Sequence, residues 1–185
     1  MKDYSEQEIL ERAKIIPNFK RTIGLPMLVA IRSNADAPDM FDDTAILMGE
    51  LNSILVRTSA TTNAGVVGLL KGNTAVLKAN EFYPKGYAFG YHKGKMPALR
   101  QQYGFKYYRD TDKDNKSEPI GQVFDNLIYT NFHGVSYVPD SKAVASRIGG
   151  WSLGCIVANK MLDYGKIIRY CKNFVGVDFL LLQEW

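Results

Sequence analysis

The 185-residue chain has only two cysteines, Cys155 and Cys171, and only two histidines, His92 and His133. A small secreted disulfide scaffold carries more cysteine, so stability has to come from an apolar core, although one bridge between the pair remains open. No apolar run approaches the ~18 residues that cross a bilayer, which excludes a transmembrane helix. Strong charge of one sign is also missing. The net charge is +4, and Lys and Arg alternate with Asp and Glu along most of the chain. That pattern lacks the dense basic patch of a nucleic-acid binder, so no nucleic-acid partner is expected. Residues 1–16 include Asp3, Glu6, Glu8, Glu11, Arg12 and Lys14. They are too charged for a secretory signal, and cytoplasmic synthesis is the expectation. There is no internal repeat, low-complexity stretch or clear linker.

Aromatics and glycine are plentiful: eleven Tyr, nine Phe and sixteen Gly. These residues favour strands and turns over a helix bundle. Residues 4–16 read as a helix, with Ser5 and Glu8 as a capping box, Ile9, Leu10, Ala13 and Ile16 on one face, and Pro17 as the stop. Strand patterns follow at 27–32, within 45–58, at 74–79, 87–91, 105–109, 126–132 and 175–182. A turn is expected at Pro84-Lys85-Gly86 and a second helix at 160–172. The expected fold is mainly β, a sandwich or barrel, with an N-terminal helix and one or two further helices. Residues 1–22 form a helical arm, and 23–185 a single domain.

The chemistry concentrates between Tyr129 and Asn159. His133 closes a predicted strand and is followed by Gly134. Cys155 comes after the Gly-rich turn Gly149-Gly150-Trp151-Ser152-Leu153-Gly154 and before an apolar run. The intervening loop can fold back and set an imidazole against a thiol. A thiol of pKa about 8.5 needs such a partner to ionise at neutral pH. Gly154 permits a tight turn that aims backbone N–H groups at a developing oxyanion, and Ser152 can hydrogen-bond within it. A buried structural Cys with a satisfied His is the commoner fate of such residues.

His133-Gly134 followed by Ser152-Leu153-Gly154-Cys155-Ile156 resembles the L,D-transpeptidase (YkuD-type) signature. A broader likeness is to phage-encoded relatives. It rests on Arg32, Phe41-Asp42-Asp43, residues 61–65 and 90–94, Ala98-Leu99, and Arg109-Asp110 with Asp112 and Asp114. The resemblance implies an L,D-transpeptidase-type catalytic domain. Cys155 would be the nucleophile, His133 its base, and the Gly134 carbonyl the group that orients the imidazole. The substrates implied are peptidoglycan stem peptides, attacked through a thioester, and no cofactor is implied. Leu153 stands where many members have a second His, and Val157 where an Arg often follows. With no export signal visible, the expectation is a phage lysis or virion protein acting on the cell wall, a peptidase more than a cross-linker, with other virion proteins as partners. The alternative is a non-enzymatic virion or wall-binding protein that keeps the fold.

His92, in Gly-Tyr-His-Lys-Gly, either lines the cleft and binds substrate or sits in a surface turn. Tyr129 and Trp151 flank the site and either stack on a sugar or pack. No Cys or His pair has zinc-ligand spacing, so no metal is expected. Asp110, Asp112 and Asp114 mimic the start of a calcium loop. Asn115 occupies the required Gly position and Gly121 the Glu position, which favours a solvated turn.

Overall fold

The computed structural model describes residues 2–35 and 37–185. Its elements are α1 (Glu6–Lys14), β1 (Met27–Arg32), β2 (Asp43–Met48), β3 (Ile54–Thr61), α2 (Val66–Leu69), β4 (Thr74–Leu77), β5 (Glu81–His92), β6 (Met96–Gln101), β7 (Phe105–Asp110), β8 (Phe124–Asn126), β9 (Phe132–His133), β10 (Ile156–Ala158), α3 (Met161–Cys171) and β11 (Val177–Gln183). The fold is mainly β, with an eight-stranded closed barrel in the order β1-β11-β5-β6-β9-β10-β3-β2. A three-stranded sheet, β4-β7-β8, accompanies it. Among the described residues, no helix is long and apolar enough to cross a membrane.

Strand alternation explains two cores. On β1, Leu28 and Ala30 point into the main cluster, with Ala45 and Leu47 of β2 and Phe179 and Leu181 of β11. The intervening residues Met27, Val29, Ile31, Ile46, Met48, Leu180 and Leu182 form a second cluster on the other face. Period-2 side chains serve both, so these strands read as continuous apolar runs. Helix α1 covers the second cluster with Ile9, Ala13 and the flanking Tyr4 and Ile16. Its start is fixed by Ser5 and Glu8, which form the reciprocal capping box. Residues 4–19 thus pack on the barrel wall. Helix α3 puts Tyr164, Ile167, Ile168 and Cys171 into the main cluster. Both cysteines are free.

Strands β6 and β10 form where none was expected, and two expected stretches fold otherwise. Pro84-Lys85-Gly86 lies inside the continuous strand β5, and the turn before it falls at Asn80, whose φ is 59°. Lys85 has a φ of 51°, and the register with β11 shifts opposite it between Val177 and Phe179. Proline and positive φ mark a bulge as readily as a turn. The carboxylate of fully buried Asp178 holds this bulge. It accepts from Lys85 N at 2.9 Å, Thr22 N at 2.7 Å and Thr22 Oγ1 at 2.8 Å. The other departure is 126–132, expected as one strand. Only its ends are strand, because the Gln101 side chain takes the Ile128 and Thr130 amides at 3.3 and 2.9 Å.

Asp178→Ala leaves two backbone donors near the bulge without an acceptor. Urea unfolding of this variant should show a loss of about 3 kcal/mol. A loss under about 1 kcal/mol contradicts the role given to this carboxylate.

Candidate active site

The β9–β10 pair carries His133 and the entry to Cys155. The two strands run parallel, with Ile156 beside Phe132 and Val157 beside His133. Ile156 N–H reaches Asn131 O at 3.0 Å. Cys155 therefore emerges from the strand next to the residues that precede His133.

The turn before Cys155 is pinned on several sides. Ser152 is buried; its hydroxyl donates to Cys155 O at 2.8 Å and accepts from Gly154 N at 3.0 Å. Ser152 O takes Gly65 N–H, and Leu153 O takes Ala75 N–H at 3.1 Å. Gly154 has a φ of 125°, and a Cβ there would run into Ala75 O. Only glycine fits that position. Leu153 itself is 61% exposed and points no imidazole at the sulfur.

His133 is buried to 1% exposure, and its Nδ1 lies 2.8 Å from Gly134 O. A carbonyl only accepts, so Nδ1 carries the proton and Nε2 holds a lone pair. Nε2 is buried and has no hydrogen-bond partner among the described residues. A Cβ on Gly134 would strike Met161 Sδ, so this hydrogen bond sits in a tightly packed corner. Burial pulls the His133 pKa down to about 4, with His92 and Lys93 adding to the fall and the Gly134 carbonyl opposing it. Cys155 is partly exposed. Burial around its sulfur pushes the thiol pKa up, while the Asn131 backbone and Lys93 pull it down. The resting pair is therefore a thiol and a neutral imidazole. Such a pair works by general-base transfer during attack, with no ion pair formed beforehand.

Cys155 Sγ, a ring nitrogen of His133 and a ring nitrogen of His92 all lie within 4.8 Å of one another. The two imidazoles stack with centroids 4.4 Å apart. Sequence spacing argued against a metal here, because nothing in it places His92 beside the other two. The donor set resembles zinc ligands, but the hydrogen bonds reduce it. His92 Nδ1 faces the Asn131 amide nitrogen at 3.0 Å, which leaves the proton on Nε2. At rest the lone pair of His92 is engaged with Asn131, which leaves those of His133 Nε2 and the thiol, short of a closed zinc set.

A cleft of about 430 Å³ opens over the sulfur, lined by Lys71, Lys93, Arg109, His92, Tyr129, Trp151 and Leu153 among others. Three of its lining residues are cationic and none is acidic. A second hollow of about 240 Å³ adjoins it on the His133 side, sharing His92, Lys93, Gly150 and Trp151. Trp151 thus stands between the two. Tyr129 is 55% exposed, with the Arg100 guanidinium 5.6 Å from its ring centroid. Its φ of 59° is unusual for a bulky residue and costs about 1–2 kcal/mol. The turn brings Tyr129 O to 3.8 Å from Cys155 Sγ.

Sequence reading missed the three cleft cations, together with Gln101 and Asn131. Asn131 had one available signal, since it shares a strand face with His133 at a spacing of two. The acidic loop borders another hollow with Asp110, Asp112 and Glu118, which shares Arg109 with the cleft over the sulfur. Oxygens of Asp112, Asp114 and Glu118 lie within 4.8 Å of one another. Asp112 and Asp114 accept from the loop's own amides of Asp114 and Lys116. No family model, curated protein or solved structure matches the chain.

Two outcomes follow. Iodoacetamide should label Cys155 alone in the native protein, since Cys171 is fully buried with its pKa pushed up to about 12. Equal labelling of both, read by peptide mass, contradicts this geometry. His133 also ties stability to pH. Its folded pKa of about 4 lies below the ordinary 6.5, so its contribution is present above 6.5 and is lost as pH falls toward 4. Asp43, pushed up to about 6 by burial, has the opposite sign over the same window, losing its contribution as pH rises through 6. Comparing wild type with His133→Gln cancels Asp43. From pH 7 to pH 5 wild type should lose about 2 kcal/mol more than the variant. Equal losses contradict a buried neutral ring.

Proposed function

We propose that the chain is a cysteine-dependent peptidoglycan-modifying enzyme that acts on stem peptides through a thioester. The observation that carries this reading is the oriented Cys–His pair. His133 is held by Gly134 O, its Nε2 is buried and unpartnered among the described residues, and a ring nitrogen lies within 4.8 Å of Cys155 Sγ. The combination of His-Gly and Ser-X-Gly-Cys with this hydrogen bond supports an L,D-transpeptidase-like mechanism. The residues shared with phage relatives support a phage lysis or virion role. Stem peptides are rich in carboxylates, and the cationic, acid-free lining of the cleft is complementary to them.

In this mechanism the Cys155 thiol proton moves to His133 Nε2 as sulfur attacks a stem carbonyl. The tetrahedral adduct collapses when His133 returns the proton to the departing amine, leaving a thioester. Water or an amine then enters, His133 takes its proton, and a second collapse frees Cys155. The Gly134 carbonyl keeps the imidazole in one tautomer throughout. The adjoining hollow beside His133 gives the incoming water or amine a place.

Purified protein incubated with peptidoglycan should change the muropeptide masses at the stem. Cys155→Ala and His133→Ala should each lose at least about 1,000-fold, because the pair acts as one unit. Cys155→Ser should be nearly inactive, and EDTA should have little effect. Activity that survives Cys155→Ala and disappears with EDTA identifies a metal hydrolase. Wall binding with no activity from wild type favours a non-enzymatic virion or wall-binding protein.

A further inference from the structure

His92 lies at the end of β5, half-buried, and lines both hollows beside the thiol. Its protonation is fixed by a chain of hydrogen bonds that begins with a backbone donor. Gln101 N–H can only donate, and it reaches Asn131 Oδ1 at 3.1 Å. That orients the buried amide, so its NH₂ faces His92 Nδ1 at 3.0 Å. The NH₂ donates, so Nδ1 holds a lone pair and the neutral ring carries its proton on Nε2. Burial, with Lys93 and Arg100 nearby, lowers the His92 pKa and keeps the ring neutral. Its Nε2–H makes no hydrogen bond to a described residue.

Three backbone N–H groups lie near the thiol, and that of Asn131 acts on the sulfur itself. Gly154 N–H is taken by Ser152 Oγ. Cys155 N–H has no partner among the described residues. A carbonyl attacked by Cys155 carries its oxygen on the same carbon that the sulfur joins, and a ring nitrogen of His92 lies within 4.8 Å of that sulfur.

We propose that His92 is a further catalytic residue, its Nε2–H joining Cys155 N–H to hold the oxygen of the tetrahedral adduct, with Asn131 as the positioning residue that fixes its tautomer. This rests on Cys155 being the nucleophile. As the S–C bond forms, the carbonyl π pair moves onto oxygen, and His92 donates a hydrogen bond without giving up its proton. The thiol proton resides on His133 until collapse, when the oxygen pair re-forms the C=O bond and the leaving group departs.

Two small reagents separate this role from thiol ionisation. 4-Nitrophenyl acetate acylates through a tetrahedral oxyanion, giving S-acetyl-Cys155 and nitrophenol. Iodoacetamide alkylates by displacing iodide, with no oxyanion. In His92→Ala the acylation rate should fall about 100-fold while the alkylation rate stays within about threefold. Equal falls in both rates, or no fall in either, overturn the proposal. Wild type tests it without a variant. Nitrogen-15 correlation spectra at pH 7 should show the His92 proton on Nε2, and Asn131→Asp should move it to Nδ1. A wild-type proton on Nδ1 overturns the proposal. If wild type is alkylated but never acylated at Cys155, the thioester mechanism itself fails and this role falls with it.

Discussion

Two residues of β9 and three of β10, paired in parallel, hold the whole site together. Ile156 N–H on Asn131 O fixes the register, and everything chemical follows from it. Just ahead of β10, Cys155 Sγ comes within 4.8 Å of a ring nitrogen of His133. Asn131, two residues earlier, turns its side chain to the same face. A slip of one residue in this short ladder would move every one of these side chains to the opposite face of the wall. The rest of the barrel makes that slip costly. Gln101 on β6 ties the preceding loop by accepting from Ile128 and Thr130, and its Nε2 donates to Tyr103 O and Asn126 O. Tyr164 of α3 hydrogen-bonds Pro97 O, closing the layer beneath Gly134.

Much of the apolar frame was legible in the sequence. The capping box at Ser5, the run 27–32 and the helix near 160–172 follow from local periodicity, and local periodicity is what the fold uses there. Continuous apolar strands were readable as buried, but not the reason. That reason is α1 lying across the outer face and doubling the core. Residues 84–86 misled because proline and a positive φ serve bulges as well as turns, and the deciding contact is Asp178, far away in sequence. The stretch 126–132 misled for a similar reason. Its amides pair with one glutamine side chain, a choice no periodicity encodes. Within the site, the pairing of a His-Gly with a Gly-Cys turn was readable because both are local motifs. His92 stood open between cleft and turn, and only the β5–β6–β9 ladder brings it against His133.

The site is built at a cost. Tyr129 holds a left-handed backbone, His133 Nε2 is buried without a partner, and the Cys155 sulfur is partly desolvated. Each destabilises the resting fold by on the order of 1–3 kcal/mol. A thiol pushed up in pKa beside an imidazole pulled down is a poor ion pair at rest. It becomes useful when a carbonyl carbon arrives to share the electrons of the sulfur and the proton has one place to go. The cleft over the sulfur is lined by Lys71, Lys93 and Arg109, and the hollow that adjoins it reaches His133.

The central claim is that Cys155 forms a covalent acyl bond with a peptidoglycan stem. Intact-mass analysis of wild type quenched in acid after brief exposure to purified muropeptides addresses it directly, with peptide mapping of the adduct. The account predicts a stem acyl group on the peptide containing Cys155, labile to hydroxylamine and absent from Cys155→Ala. No adduct during measurable turnover, or an adduct on any other residue, would contradict it.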